Sequence, residues 1–92
     1  MDQISKDRLK KYFLITEEAL AKVKSAPKNN IKQANNIIDM AERYFSDAKH
    51  FEKIGDSVTA FAALNYAHGW LDAGAVLNIF SVKDSRLFTV DE

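Results

Sequence analysis

The chain has 92 residues, 47% of them apolar, which is enough for one hydrophobic core and too little for a second domain. One proline and three glycines are too few turn residues for a fold of many short strands, so the composition favours long helices. The absence of cysteine excludes disulfides, thiolate metal sites and cysteine nucleophiles, and 13 basic and 13 acidic residues give a formal net charge of zero.

The cellular setting follows from the same features. The first ten residues carry five charged residues and no apolar run, so they do not resemble a signal peptide. Polar residues interrupt the weakly charged stretch 57–82, which suits a buried helix and not a membrane span. Residues 1–32 hold eight basic and four acidic residues, an offset that leaves nucleic-acid binding possible without indicating it. We expect a cytoplasmic protein that forms one domain over residues 1–92 and does not bind membranes.

The first predicted helix spans about residues 5–25. Its apolar residues recur at three- and four-residue spacing and define one face, which carries Leu9, Tyr12, Phe13, the half-apolar Thr16, Ala19, Leu20 and Val23. Pro27 cannot continue a helix, so a short loop follows.

The second predicted helix spans about residues 30–54, with Asn29 or Asn30 as its N-cap. Gly55 can adopt the left-handed conformation that ends a helix, and Asp56 can cap the next one. Because this turn is short, the second and third helices should form an antiparallel hairpin, in which residues whose numbers sum to about 112 lie level. The apolar stripe of the second helix carries Ile31, Ala34, Ile37, Ile38, Ala41, Tyr44, Phe45, Ala48 and Phe51.

The third predicted helix, about residues 57–80, is apolar on almost every side, since Asp72 is the only charged residue between Asp56 and Lys83. The sequence therefore predicts an all-α fold, a three-helix antiparallel bundle in up-down-up order with a long hairpin and a short C-terminal tail over residues 81–92. The first two helices cannot cover the whole third helix. A second copy of the chain, the apolar tail segment 87–90 or another protein could cover the rest, and we expect self-association through Tyr66, Trp70 and Leu77.

Asn65, His68 and Asp72 form a polar strip along the third helix, and the hairpin register places Tyr44 and Asp47 level with it. A histidine beside a carboxylate can serve as a general base or bind a ligand. Buried polar groups also need partners, so we expect these five residues to satisfy one another across the hairpin.

No catalytic residue, metal or cofactor is assigned. His50 lies about six residues, roughly 9 Å of helix rise, from the level of His68, and it points to the water-facing side of the second helix. The two histidines therefore cannot share an ion. The chain also lacks a glycine-rich phosphate loop, a nucleophile elbow and a zinc-protease motif.

Arg43 and His50 lie about two turns apart on the outer face of the second helix. This spacing resembles the Arg-to-His motif of the HEPN helical ribonucleases, which build a composite site across a dimer. Tyr44 stands where that family usually has a polar residue, so solvated surface charges are the favoured interpretation of this pair.

The runs Tyr-Phe-Ser-Asp-Ala at 44–48, Gly55-Asp56 and Asn-Tyr-Ala-His-Gly-Trp-Leu-Asp-Ala-Gly at 65–74 resemble the archaeal DUF357 family over roughly residues 41–82. The resemblance implies a small helical domain of unknown function and carries no established activity, cofactor or catalytic residue.

Two hypotheses of function follow from the sequence. The first is a non-catalytic helical interaction or scaffold module that works as a homodimer or with another protein partner. The alternative is a small-ligand, nucleotide or RNA-binding protein that uses the polar strip.

Overall fold

A computed structural model describes residues 4–90 of the chain, and the regular elements in that range are three α-helices. They are α1 (Lys6–Ser25), α2 (Ile31–Lys53) and α3 (Ser57–Val76). The predicted all-α three-helix bundle is confirmed. α3 is the central element, because it packs most extensively against α2 and next most against α1.

Each helix begins after a side chain that accepts a hydrogen bond from a backbone amide of the first turn. Such caps satisfy donors that a helix start leaves unpaired. The capping pairs are Ser5 with the amide of Arg8 at 3.1 Å, Asn30 with Gln33 at 2.9 Å, and Asp56 with Thr59 at 3.1 Å.

The α2–α3 hairpin closes through Gly55, whose φ of 86° lies in the left-handed region. The amide of Asp56 donates to the carbonyl of Phe51 at 2.8 Å, and the amide of Gly55 donates to Glu52 at 3.1 Å. This is the glycine-terminated helix end that the sequence indicates at this position.

α3 ends at Val76, before the expected end near residue 80, because Asn78 adopts a left-handed φ of 57°. The amide of Ile79 donates back to Gly74 at 2.9 Å and the amide of Asn78 to Ala75 at 3.1 Å, which completes a Schellman motif. The chain then crosses the end of the bundle, where Phe80 is fully buried against Gly74.

The residues after α3 pair with the loop between α1 and α2. Lys28 and Phe80 form an antiparallel bridge, and the amide of Ser81 donates to Pro27 at 2.9 Å. This pairing directs the tail along the groove between α1 and α3.

Two apolar clusters make up the core. One lies near the hairpin turn and contains Leu9, Phe45, Ala48, Ala60, Ala63, Leu64 and Ala67. The other combines residues of all three helices with Phe80, Leu87 and Phe88 of the tail, which are all buried. The tail is therefore part of the core.

Candidate functional site

The polar strip of α3 binds the tail. His68 Nε2 lies 2.5 Å from the carbonyl oxygen of Leu87, and Asp72 accepts hydrogen bonds from the amide of Thr89 at 2.5 Å and from its hydroxyl at 2.6 Å. A carbonyl oxygen only accepts, so His68 Nε2 carries the proton in this contact. The two side chains hold the backbone on either side of the buried Phe88 ring.

Tyr44 and Asp47, the partners expected on α2, lie elsewhere. Tyr44 stacks on Tyr66, with ring centroids 5.3 Å apart and an angle of 19° between the rings, and Asp47 is exposed. The hairpin register gives the correct level along the helix axis, but His68 faces the tail and not α2. The structure therefore replaces the expected partners of His68 and Asp72 with the tail residues Leu87 and Thr89.

Ionic contacts fix the start of the tail on α1. Lys22 donates to Asp84 at 2.8 Å, and Arg86 donates to Glu18 at 2.5 Å and to Asp84 at 3.1 Å. The hydrogen bonds from Lys22 and Arg86 hold the pKa of Asp84 far below its usual value, and the same contacts with Asp84 and Glu18 raise the pKa of Arg86. Nothing in the sequence pattern indicated these pairs, because they depend on where the tail docks.

Asn65, the third residue of the strip, lines a cavity of about 390 Å³ between α1 and α3. The same cavity is bordered by Tyr12 and Thr16 of α1, by His68 and by Arg86. Sequence reasoning did not select Tyr12 or Thr16, because both fall on the apolar stripe of the first helix.

One side of α3 is covered neither by α1, nor by α2, nor by the tail, and we call it the α3 face. Tyr66 and Leu77 are 63% and 69% exposed there, and Trp70 is 39% exposed. The face carries no charged side chain, and its residues are Ala62, Tyr66, Gly69, Trp70, Ala73 and Leu77. It contains all three residues expected at an interface.

Arg43 and His50 both lie exposed on α2. The guanidinium of Arg43 pairs with Asp39 at 3.1 Å, and the ring of His50 packs edge-on against Phe51 at 5.3 Å between centroids. These contacts suit solvated surface residues, and the ribonuclease interpretation stays a prediction.

Two further properties concern residues 4–90 alone. They contain no group of three or more histidine, aspartate or glutamate side chains placed to hold a metal ion. None of their helices combines the length and the hydrophobicity that crossing a bilayer requires.

Residues 11–80 match the sequence model of the family described as "Protein of unknown function (DUF357)", which covers more than half of the chain. No curated protein and no solved structure matches.

Proposed function

We propose that this chain, which belongs to the DUF357 family of unknown function, is a non-catalytic interaction module. It pairs with a second copy of itself through the α3 face.

The observation that carries this proposal is the exposure of apolar side chains on a helix that has no charge on that side. Tyr66, Trp70 and Leu77 lie along one line of α3, and Val76 at its edge is 59% exposed. Contiguous apolar patches beyond a few hundred Å² are uncommon on monomers and usually mark interaction sites. The tail occupies the α1–α3 groove on the other side of the helix, so it leaves this face uncovered.

The order of large and small residues along the face supports a second α3 as the partner. In an antiparallel pair of α3 helices, the register that sets Trp70 opposite Gly69 also sets Tyr66 opposite Ala73 and Leu77 opposite Ala62. Every large side chain then meets a small residue, which is how facing helices interdigitate without voids. The arrangement is two-fold symmetric, as the commonest protein dimers are.

Charge also favours a second copy over an unrelated partner. A two-fold interface brings the residues near its axis close to their own symmetry mates, so charged groups there would meet like charges. The α3 face avoids that repulsion because it is uncharged. Tyr66 stacks on Tyr44 of α2, so its ring is already held in one orientation before a partner binds. It therefore loses less conformational entropy on binding.

A pair of matched variants tests the proposal. Ala73 lies on the α3 face and Ala21 is exposed on α1, away from that face. We expect the wild-type chain and Ala21→Glu to sediment as dimers at micromolar concentrations. Ala73→Glu should sediment as a monomer with unchanged helical circular dichroism, because each glutamate would be buried against Tyr66 of the partner subunit with no cation to pair with. A wild-type chain that stays monomeric at its highest soluble concentration, or an Ala73→Glu dimer, would contradict the proposal.

A further inference from the structure

Leu14 lies on the outer side of α1, opposite the face that packs into the core. Its side chain is 57% exposed. It borders a hollow of about 480 Å³ between α1 and the tail, whose apolar lining also includes Ile15 and Leu87. Leu14 does not belong to the α3 face, so pairing through that face leaves this apolar surface uncovered.

Charged residues surround Leu14 in a definite order, with lysines before it along α1 and glutamates after it. On a helix of 3.6 residues per turn, Lys10 and Glu17 flank Leu14 on one side. Lys11 and Glu18 flank it on the other side. Lys10, Lys11 and Glu17 are exposed and make no ion pair within residues 4–90. Three charges next to the exposed leucine are therefore available to a partner.

This order makes α1 complementary to a second, antiparallel copy of itself. If Leu14 meets Leu14 of the partner subunit on a two-fold axis, residues whose numbers sum to 28 lie level. Lys10 and Glu17 of the partner subunit are then on the same side of the interface and about 1.5 Å apart along the helix axis. Lys11 meets Glu18 of the partner subunit in the same way, and the symmetry repeats both contacts. A parallel pair of α1 helices would instead set lysines against lysines.

We propose that the outer face of α1 is a second self-association surface. Leu14 packs there against Leu14 of a second copy, and four reciprocal lysine–glutamate pairs fix the antiparallel register. Exposed ion pairs are individually weak, and the apolar contact is small. The α1 contact therefore forms at higher concentrations than the α3 dimer, with a dissociation constant of roughly 0.1–1 mM. It does not depend on the α3 face.

The test uses the Ala73→Glu chain, which carries a charge on the α3 face and leaves α1 unchanged. Sedimentation equilibrium from about 0.05 to about 2 mM brackets the expected dissociation constant. We expect reversible association of two chains at about 20 mM salt, weakened at least about threefold at about 500 mM salt, because salt screens exposed ion pairs. A contact that is apolar alone would not weaken with salt.

Charge exchange in this background tests the register. Lys10→Glu and Glu17→Lys each replace two attractive pairs by two repulsive ones, so each should weaken association roughly tenfold or more. The double variant Lys10→Glu/Glu17→Lys sets the exchanged charges opposite each other again. It should restore association to within about threefold of the parent chain. Lys32→Glu changes the net charge as Lys10→Glu does, but at an exposed position of α2, and should leave association unchanged.

Glu18 is left intact in these variants because Arg86 binds it at 2.5 Å, so its replacement would also loosen the tail. Thermal melting shows whether each variant is folded. The proposal is overturned if the Ala73→Glu chain stays monomeric up to about 2 mM, or if the double variant associates no better than the single ones. Failure of the α3 dimer gives a different result, a wild-type chain that is monomeric at micromolar concentrations while the charge-dependent α1 contact persists.

Discussion

Asp84 joins the tail to α1, since its carboxylate accepts hydrogen bonds from both Lys22 and Arg86. These bonds lower its pKa in the folded chain, so they stabilise the fold above the ordinary aspartate pKa of about 3.9. As the pH falls below that value, the unfolded state takes up the proton first and the contribution is progressively lost. We therefore expect Asp84→Asn to melt at a lower temperature than the wild type at pH 7, with the difference shrinking below about pH 4.

Asp47 gives the matched control, because it is exposed and makes no ion pair within residues 4–90. Asp47→Asn should follow the wild-type melting temperature at each pH. A difference between Asp84→Asn and the wild type that stays constant down to pH 2, or that is absent at pH 7, would show that the contact with Lys22 and Arg86 does not anchor the tail.

Within α3, two glycines five residues apart have opposite surroundings. A Cβ at Gly74 would overlap the ring of Phe80 and lie 3.2 Å from Ile37 Cδ1, whereas a Cβ at Gly69 would meet nothing within 4 Å. Gly74→Ala should therefore lower the free energy of unfolding by about 1–3 kcal/mol through overpacking. Gly69→Ala should raise it by about 0.5–1 kcal/mol, because alanine favours the helix.

Urea denaturation at dilutions where the chain is monomeric measures both effects. The dilution matters for Gly69, since a methyl group there would also face Trp70 of the partner subunit in the proposed dimer. If both variants were destabilised alike, helix α3 would be more tightly covered than the exposure of Gly69 indicates.

The elements differ in how far the sequence determines them. Periodic apolar residues, Pro27 and the Gly55-Asp56 turn carry enough local information for the helices and the hairpin. The end of α3 cannot be predicted from the local sequence pattern, because Asn78 looks like an ordinary polar residue of a helix. Its left-handed conformation is seen only in the structure. Burial of Phe80 over Gly74, a tertiary contact, decides where the helix stops.

The candidate site was only partly predictable for a related reason. The hairpin fixes which residues of α2 and α3 lie level, and Tyr44 does lie beside α3. It does not fix which side of α3 faces the tail, so the partners of His68 and Asp72 could not be read from the register.

In the whole molecule, α3 has two separate surfaces. One side packs against the tail, and the other is the uncovered α3 face. Leu87 and Phe88 on the first side are 3% and 4% exposed, and they complete the core at the end opposite the hairpin. A domain of this size has a net stability of only about 5–15 kcal/mol. The tail should therefore determine whether the domain stays folded, while the α3 face should determine whether it associates.

Two truncations separate these roles. Phe88→Ala empties a buried site and should lower the free energy of unfolding by about 3–5 kcal/mol, without changing the dimer dissociation constant of the molecules that remain folded. Leu77→Ala removes an exposed side chain and should change monomer stability by no more than about 0.5 kcal/mol, while it weakens the dimer because Ala62 of the partner subunit loses its contact. Urea titration of dilute protein gives the first quantity and sedimentation equilibrium gives the second. The division of roles fails if Leu77→Ala destabilises the monomer as strongly as Phe88→Ala does, or if it leaves the dimer unchanged. The first result would mean that Leu77 is covered within a single chain, and the second that the dimer forms through another surface.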